Sequence, residues 1–169
     1  MGEMVVSSHA GEELVAIGLG SCIGLTLVDR TAGVAGLAHI VLPESGIAAE
    51  PVGKYADLAV PDLIRRMLAA GAFKFRLEAV LVGGAKMFPL GLDIGTRNAG
   101  AVRDALGGAG IQIHATETGG NRGRTARVMV GGDVTSHVAG GERLVLLSMR
   151  QSQRSRPPVP QPGLAGARS

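Results

Sequence analysis

The sequence is poor in aromatic residues and in cysteine. It has no Trp, one Tyr and three Phe among 169 residues, and Cys22 is its single cysteine. A lone cysteine excludes an internal disulfide and is typical of a reducing compartment. Because apolar residues still make up 46% of the chain, the composition predicts a globular protein whose core is built from aliphatic side chains.

Long apolar runs and a basic body are also missing. No uninterrupted apolar run approaches the ~20 residues of a membrane-spanning helix, and the start, Met-Gly-Glu-Met, lacks the features of a signal peptide. The formal net charge is +3, but without four arginines near the C-terminus it is about −1. Those arginines are Arg150, Arg154, Arg156 and Arg168. We therefore expect a cytoplasmic soluble protein that inserts into no membrane and binds no nucleic acid.

Short apolar segments between turn residues predict eight strands. The 27 glycines indicate many tight turns. The lead-in over residues 1–11 has no such pattern, and we expect it to be loosely held. The predicted strands cover 13–17, 23–28, 34–42, 77–82, 111–117, 126–130, 134–139 and 143–149.

Two helices are predicted among these strands. The first follows from one apolar stripe, with Asp57 as a candidate cap and Gly71 as its end. The second is expected over 96–106, with Thr96 as a candidate cap and Gly107 and Gly108 as its stop. The stripe consists of Val60, Leu63, Ile64, Met67 and Leu68.

The order of these elements predicts an α+β fold, a layered sandwich of mostly antiparallel strands with two main helices packed on a sheet. We find no repeat and no second domain, so residues 1–149 are predicted to form a single domain. Residues 150–169 contain four of the eight prolines and are rich in Ser, Gln and Arg. This composition predicts a disordered tail.

A hairpin argument brings Cys22 close to His39. If the turn between the second and third predicted strands centres on Arg30 and Thr31, paired positions sum to 61, as 22 and 39 do. Directly paired side chains have Cβ atoms roughly 4.5–5.5 Å apart. A slip of one residue would instead put the two on opposite faces of the sheet.

Cys22 and His39 are therefore our candidate catalytic residues. The imidazole would take the thiol proton, and the thiolate would attack the carbonyl carbon of an amide. Gly20 and Ser21 before the cysteine place little bulk in the way. The alternatives are that Cys22 is an inert buried thiol and His39 a satisfied core histidine. The cysteine and the histidines have no metal-ligand spacing, and we expect neither a metal nor a cofactor.

Glycine pairs at 83–84 and 119–120 match neither a P-loop nor a dinucleotide-binding fingerprint. We interpret them as turns at strand ends whose backbone lies close to the Cys22 cleft.

Several short motifs, in order, resemble the CheD family, the chemoreceptor glutamine deamidases of bacterial and archaeal chemotaxis. The resemblance spans about residues 14–147. Its motifs are Leu19-Gly20-Ser21-Cys22, Ala38-His39 with Leu42-Pro43, Lys54-Tyr55-Ala56-Asp57, Gly83-Gly84-Ala85 with Met87-Phe88, Ile94-Gly95 with Arg97-Asn98, Thr118-Gly119-Gly120-Asn121 and Gly140-Gly141-Glu142.

The resemblance implies a substrate and a partner. The substrate would be glutamine side chains of methyl-accepting chemotaxis receptors, converted to glutamate with release of ammonia through a thioester. Cys22 matches the family nucleophile and His39 the base. The fold would be a layered α/β sandwich similar to the cytotoxic necrotizing factor toxins. CheC, a phosphatase of the chemotaxis response regulator, is a partner of family members.

One position departs from the family pattern. A threonine six residues before the cysteine completes a Cys-His-Thr triad in the family, whereas this chain has Ala16. Alanine has no hydroxyl to orient the imidazole, and loss of an orienting group costs rate while leaving some activity. The alternative function is therefore a weakly active or inactive CheD-like binding module that acts on a chemotaxis partner such as CheC.

Overall fold

Two β-sheets stack face to face, and two helices cover the outer face of one of them. The computed structural model describes residues 1–46, 50–87, 93–138 and 140–148. The five-stranded sheet has the order β1-β4-β3-β5-β6, and the four-stranded sheet has the order β2-β7-β8-β9. The strands are β1 (Met4–Ser7), β2 (Glu13–Leu19), β3 (Ile23–Asp29), β4 (Val34–Ile40), β5 (Glu78–Gly83), β6 (Gln112–Thr118), β7 (Arg124–Met129), β8 (Val134–Val138) and β9 (Arg143–Leu147).

The helices are α1 (Ala56–Ala69) and α2 (Ile94–Ala109), and single 3₁₀ turns lie at Val52–Lys54 and Lys74–Arg76. Helix α2 connects β5 to β6, which pair in parallel, whereas the other pairs of strands are antiparallel. The predicted α+β sandwich of mostly antiparallel strands with two helices is therefore confirmed.

Strand β3 is central, and all seven of its residues are buried. Alternate side chains of a strand point to opposite faces, so Leu25 and Leu27 pack in the core shared with the helices. Val28 and the loop residue Cys22 belong to the second core, between the two sheets. The five-stranded sheet thus separates a core that it shares with the helices from a core that it shares with the four-stranded sheet.

Residues 1–11 are not loosely held throughout, so that prediction was wrong. Met4–Ser7 form the edge strand β1, which pairs with β4 from Met4 opposite Ala38 to Ser7 opposite Ala35. The strand has only four residues, and its backbone partners lie more than 25 residues away in the sequence. Pairing with the edge of the sheet, rather than a local pattern, orders this segment.

Both helix starts differ from the prediction. Asp57 does not cap α1, because its carboxylate accepts hydrogen bonds from the N–H and hydroxyl of Ser45. Helix α2 begins two residues before Thr96, and the carboxylate of Asp93 caps it by accepting from the Thr96 N–H at 3.0 Å. The predicted apolar stripe of α1 is buried except for Leu68, which is 40% exposed.

Helix α2 also continues past its predicted end. Gly107 and Gly108 lie inside it, and Gly110 ends it with a left-handed φ of +71°. The N–H of the following Ile111 donates to the Leu106 carbonyl at 3.0 Å, and both of these apolar side chains are buried in the core. Packing on either side of the glycines thus outweighs their low helix propensity.

The ends of two predicted strands, at 139 and 149, lie outside the described residues, as does the predicted tail over 150–169. The division into one domain and a disordered tail stays our proposal.

The turn between β3 and β4 is held by one buried carboxylate. Asp29 accepts hydrogen bonds from the N–H groups of Thr31 and Ala32, both at 3.0 Å, and from Phe73 N–H at 2.9 Å. It also pairs with Arg76 at 3.0 Å. Burial works to raise the pKa of this carboxyl, but these hydrogen bonds and the guanidinium outweigh it and hold the pKa below its usual range.

Candidate active site

Cys22 lies where the chain crosses from one sheet to the other. Strand β2 belongs to the four-stranded sheet and β3 to the five-stranded sheet, and Cys22 is the last residue before β3. Gly18 has a φ of +72°, a conformation that glycine adopts without strain, and its carbonyl accepts from the Gly20 N–H at 2.9 Å. The glycines therefore allow the sharp turn that brings the thiol between the sheets.

A second glycine segment lies directly against the cysteine. The N–H of Gly84 donates to the Cys22 carbonyl at 2.8 Å, and the N–H of Ala85 donates to the Gly20 carbonyl at 2.7 Å. A Cβ at Gly83 would overlap the Cys22 carbonyl oxygen. The expected close approach of the 83–84 backbone to the cysteine is therefore confirmed.

A third glycine segment supports the second. Gly119 N–H donates to the Gly83 carbonyl at 3.0 Å, and Lys86 N–H donates to the Gly120 carbonyl at 2.8 Å. Both glycines have a positive φ. The three segments form a backbone layer. In it, the loop after β5 holds the cysteine loop, and the turn after β6 holds the loop after β5.

The predicted register of the hairpin was wrong by two residues. Gly24 lies opposite His39, and Ile23 lies opposite Ile40, so paired positions sum to 63. The reason is the turn, which has four residues between Asp29 and Val34 because the Asp29 carboxylate binds its N–H groups. Cys22 is therefore not directly opposite His39.

A shift of two residues keeps both side chains on the same face, since the side-chain period of a strand is two. On β4, Ala35 and Leu37 pack in the core between the sheets, and His39 has the same parity. Cys22 packs in that core too. The thiol and the imidazole thus face the space between the two sheets, offset by about 7 Å along the strand direction.

His39 lies beside the N-terminal strand. Its N–H donates to the Glu3 carbonyl at 3.0 Å, and its carbonyl accepts from the Gly2 N–H at 2.9 Å. The side chain lines a pocket of about 610 Å³ between β1, β2 and β4, whose wall also includes Ala16 and Glu3. Cys22, which is 8% exposed, does not line this pocket.

The ring of His39 has an unused nitrogen. Its Nε2 is buried and has no hydrogen-bond partner among the described residues. A buried nitrogen without a partner is costly in a structural histidine. This arrangement disfavours the alternative that His39 is a satisfied core histidine.

Burial shifts both candidate residues toward their neutral forms. It raises the pKa of the Cys22 thiol, and it lowers the pKa of the His39 imidazole, which Glu3 partly opposes. The N-terminal ammonium and the Cys22 backbone N–H act in the opposite direction on the pKa of the thiol, but burial outweighs them. At neutral pH the pair therefore rests as a thiol and a neutral imidazole, which can act as a base.

Sequence reasoning assigned no role to Asn98. This buried side chain of α2 donates from Nδ2 to the Ser21 carbonyl at 2.9 Å and to the Val41 carbonyl at 2.8 Å. Its partners are 77 and 57 residues away. The only signal in the sequence was its place in a family motif.

Neither a metal-binding cluster nor a membrane-spanning helix is present within the described residues. No group of three or more His, Cys, Asp or Glu side chains there is arranged to hold a metal ion. No helix in that part of the chain is long and apolar enough to cross a membrane.

Comparison with known proteins agrees with the family resemblance noted in the sequence. The family model described as CheD chemotactic sensory transduction matches residues 41–137. The chemoreceptor glutamine deamidase CheD of Thermotoga maritima is 42% identical over 147 residues, which cover 85% of this chain and 93% of that protein. The chain belongs to the CheD family.

Other relatives of the CheD family agree with this assignment. The probable chemoreceptor glutamine deamidase CheD of Symbiobacterium thermophilum is 40% identical over 152 residues, covering 84% of this chain and 92% of that protein. The one of Clostridium novyi is 45% identical over 122 residues, covering 68% and 75%. Cys22 and His39 both precede the range that the CheD family model matches, so their roles rest on the geometry and on the resemblance described above.

Proposed function

We propose that this chain is a protein-glutamine deamidase that converts glutamine side chains of methyl-accepting chemotaxis receptors to glutamate and releases ammonia. Cys22 is the nucleophile and His39 the base. The observation that carries the proposal is that the crossover before β3 and the end of β4 direct the only cysteine and a histidine into the same space between the sheets, and that Nε2 of this histidine has no partner among the described residues. The names of the CheD relatives support the reaction and the substrate class.

The neutral resting pair suits a general-base mechanism. His39 takes the proton of the Cys22 thiol as the sulfur attacks the carbonyl carbon of the glutamine side chain, forming a C–S bond. The oxyanion needs hydrogen-bond donors, and the backbone N–H of Cys22 lies next to the sulfur. The imidazolium then protonates the leaving nitrogen as the C–N bond breaks, which leaves a thioester and ammonia.

Water completes the reaction. His39 removes a proton from the water, whose oxygen attacks the thioester carbonyl, and the C–S bond breaks. The cysteine sulfur takes the proton back from the imidazolium. The sum is one amide and one water converted to one carboxylate and one ammonium ion, and no metal or redox cofactor enters this balance.

The pocket beside His39 is the approach that we propose for the substrate. It lies between β1 and β2, the edge strands of the two sheets, and the residues that line it include the apolar Val5, Val15 and Ile17. Apolar walls suit the stem of a glutamine side chain and the apolar residues around it. The target glutamine would enter past His39 toward the thiol.

A second candidate function is a binding module with weak or no activity. Ala16 lines the pocket with His39, and no hydroxyl stands there to partner the ring. In that case the chain would act on a chemotaxis partner such as CheC. Binding of CheC by the active enzyme is also part of our proposal, and a cytoplasmic location stays a prediction.

Mass spectrometry of a receptor fragment separates the two functions. Incubation with the wild-type chain should add about 1 Da per converted glutamine, whereas Cys22→Ala and His39→Ala should add none within the same time. A receptor fragment that keeps its mass with the wild-type chain, together with binding of CheC by both wild type and Cys22→Ala, would sink the deamidase proposal and favour the binding module.

A further inference from the structure

We propose that Asn98 is the positioning residue that fixes the Cys22 loop against the end of β4, and so sets the placement of the nucleophile relative to the base. The inference rests on the proposed function for its catalytic meaning. Its structural part, that one amide joins the two segments, stands on the hydrogen bonds alone.

The backbone ladder between β3 and β4 stops one residue short of the site. Its last pair is Ile23 opposite Ile40. Beyond it, β4 turns toward the segment before α1, because the N–H groups of Val41 and Leu42 both donate to the Lys54 carbonyl at 2.9 Å. The two strands have therefore parted where the cysteine loop begins.

The amide of Asn98 replaces the missing ladder. The Ser21 carbonyl, directly before the nucleophile, and the Val41 carbonyl, two residues after the base, both accept from its Nδ2. On the other side of the loop, the backbone still pairs through Gly84 N–H and the Cys22 carbonyl. The loop is thus held by backbone on the β5 side and by one side chain on the β4 side.

The chemistry of this position requires an amide or a similar donor. Two carbonyl oxygens face the side chain, so both of its contacts need N–H donors, and the Asn98 NH₂ group supplies two. The opposite orientation of the amide would place Oδ1 against both carbonyls. Oδ1 itself is buried and has no partner among the described residues. An unused buried acceptor is costly, which indicates that the two donated bonds are what this residue contributes.

Asn98→Asp is the sharpest test because it keeps the shape and removes both donors. Asn98→Ser is the second variant, which introduces no buried charge and is used if the aspartate does not fold. Asp29→Asn is the matched control, since it disturbs another buried side chain at the far end of β3, about 20 Å from Cys22, while the amide Oδ1 can still accept from the Thr31 and Ala32 N–H groups of the turn. All variants are compared under conditions where circular dichroism shows them folded.

The first readout needs no activity. Alkylation of the single cysteine by iodoacetamide measures how the loop holds the thiol, and we expect Asn98→Asp or Asn98→Ser to react about tenfold faster than wild type. Asp29→Asn should stay within about twofold of wild type. Rates within about twofold for both Asn98 variants, or an equal rise in the Asp29 control, would overturn the inference.

The second readout is the deamidation of a receptor fragment. Displacing the nucleophile from the base should lower kcat by about 10²-fold and change KM by less than about threefold. A rise in KM with kcat unchanged would overturn a positioning role in catalysis. A wild-type chain that deamidates nothing refutes the proposed function instead, and the alkylation rates still decide whether Asn98 fixes the loop.

Discussion

Replacing Ala16 with threonine tests whether His39 lacks an orienting partner. Ala16 is 5% exposed on β2 and shares the pocket wall with the imidazole, whose Nε2 has no partner within the described residues. A threonine hydroxyl at this position would supply one. The pocket of about 610 Å³ leaves room for the two added heavy atoms, and a β-branched side chain suits a strand.

The magnitude follows from one hydrogen bond. A neutral hydrogen bond contributes about 0.5–1.5 kcal/mol net, and about 1.4 kcal/mol in the activation free energy is a factor of ten. If the bond holds the imidazole in its reactive orientation, Ala16→Thr should raise kcat for receptor glutamines by about 2- to 10-fold. The assay is the rate of mass gain on a receptor fragment at saturating concentration.

Ala16→Val is the matched control, because valine has the same shape and branching without the hydroxyl. We expect it to leave kcat within about twofold of the parent chain. Equal rates for the threonine and valine variants would show that the hydroxyl has no partner in the imidazole. That result would refute the reasoning. If the two variants differ in rate, equal free energies of unfolding would show that the difference does not come from stability.

Three further predictions concern the pH dependence of deamidation, the glycine backbone beside Cys22 and the turn between β3 and β4. Since burial lowers the pKa of His39, kcat/KM for deamidation should stay level until the pH falls below about 6.5; an acid limb centred above pH 7 would contradict this. In a urea titration, Gly83→Ala should lower the free energy of unfolding by about 2 kcal/mol or more, because the added Cβ would overlap the Cys22 carbonyl and position 83 has a φ of +114°. The control Gly108→Ala, whose added Cβ lies in open space on α2, should be neutral or stabilising in the same titration. Asp29→Asn should lower the free energy of unfolding by about 2–4 kcal/mol. Since the folded-state pKa of Asp29 is depressed, this carboxylate stabilises the fold fully above about pH 4 and less as the pH falls further. Acidification below that pH should therefore destabilise the variant less than the wild type.

The sequence could predict that Cys22 and His39 lie on the same face of the sheet, but it could not predict the register of the hairpin that contains them. Cys22 and His39 fall on one face under both the predicted and the observed pairing, because the two differ by an even number of residues. The extra two residues in the turn depend on Asp29, whose carboxylate also binds Phe73 N–H and Arg76 from a distant segment. Spacing along the hairpin contains no information about those contacts.

Strand β1 and Asn98 escaped prediction for a related reason. β1 is ordered by its pairing with β4, and Asn98 acts through two carbonyls on remote segments. By contrast, β3 was predictable as a short apolar run and most of the α1 stripe as a helical periodicity, because complete burial of a strand and burial of one helix face each leave a local signature. The site is built at the points where such local patterns stop.

The protonated resting state of the cysteine also affects its durability. Peroxide and other oxidants react with thiolates, and they react slowly with thiols. Burial keeps Cys22 in the thiol form and leaves it 8% exposed. We therefore expect sulfenic acid to form on Cys22 more slowly than on free cysteine when both are treated with hydrogen peroxide at neutral pH. If Cys22 is the nucleophile that we propose, the burial that makes it need a base also protects it from oxidation.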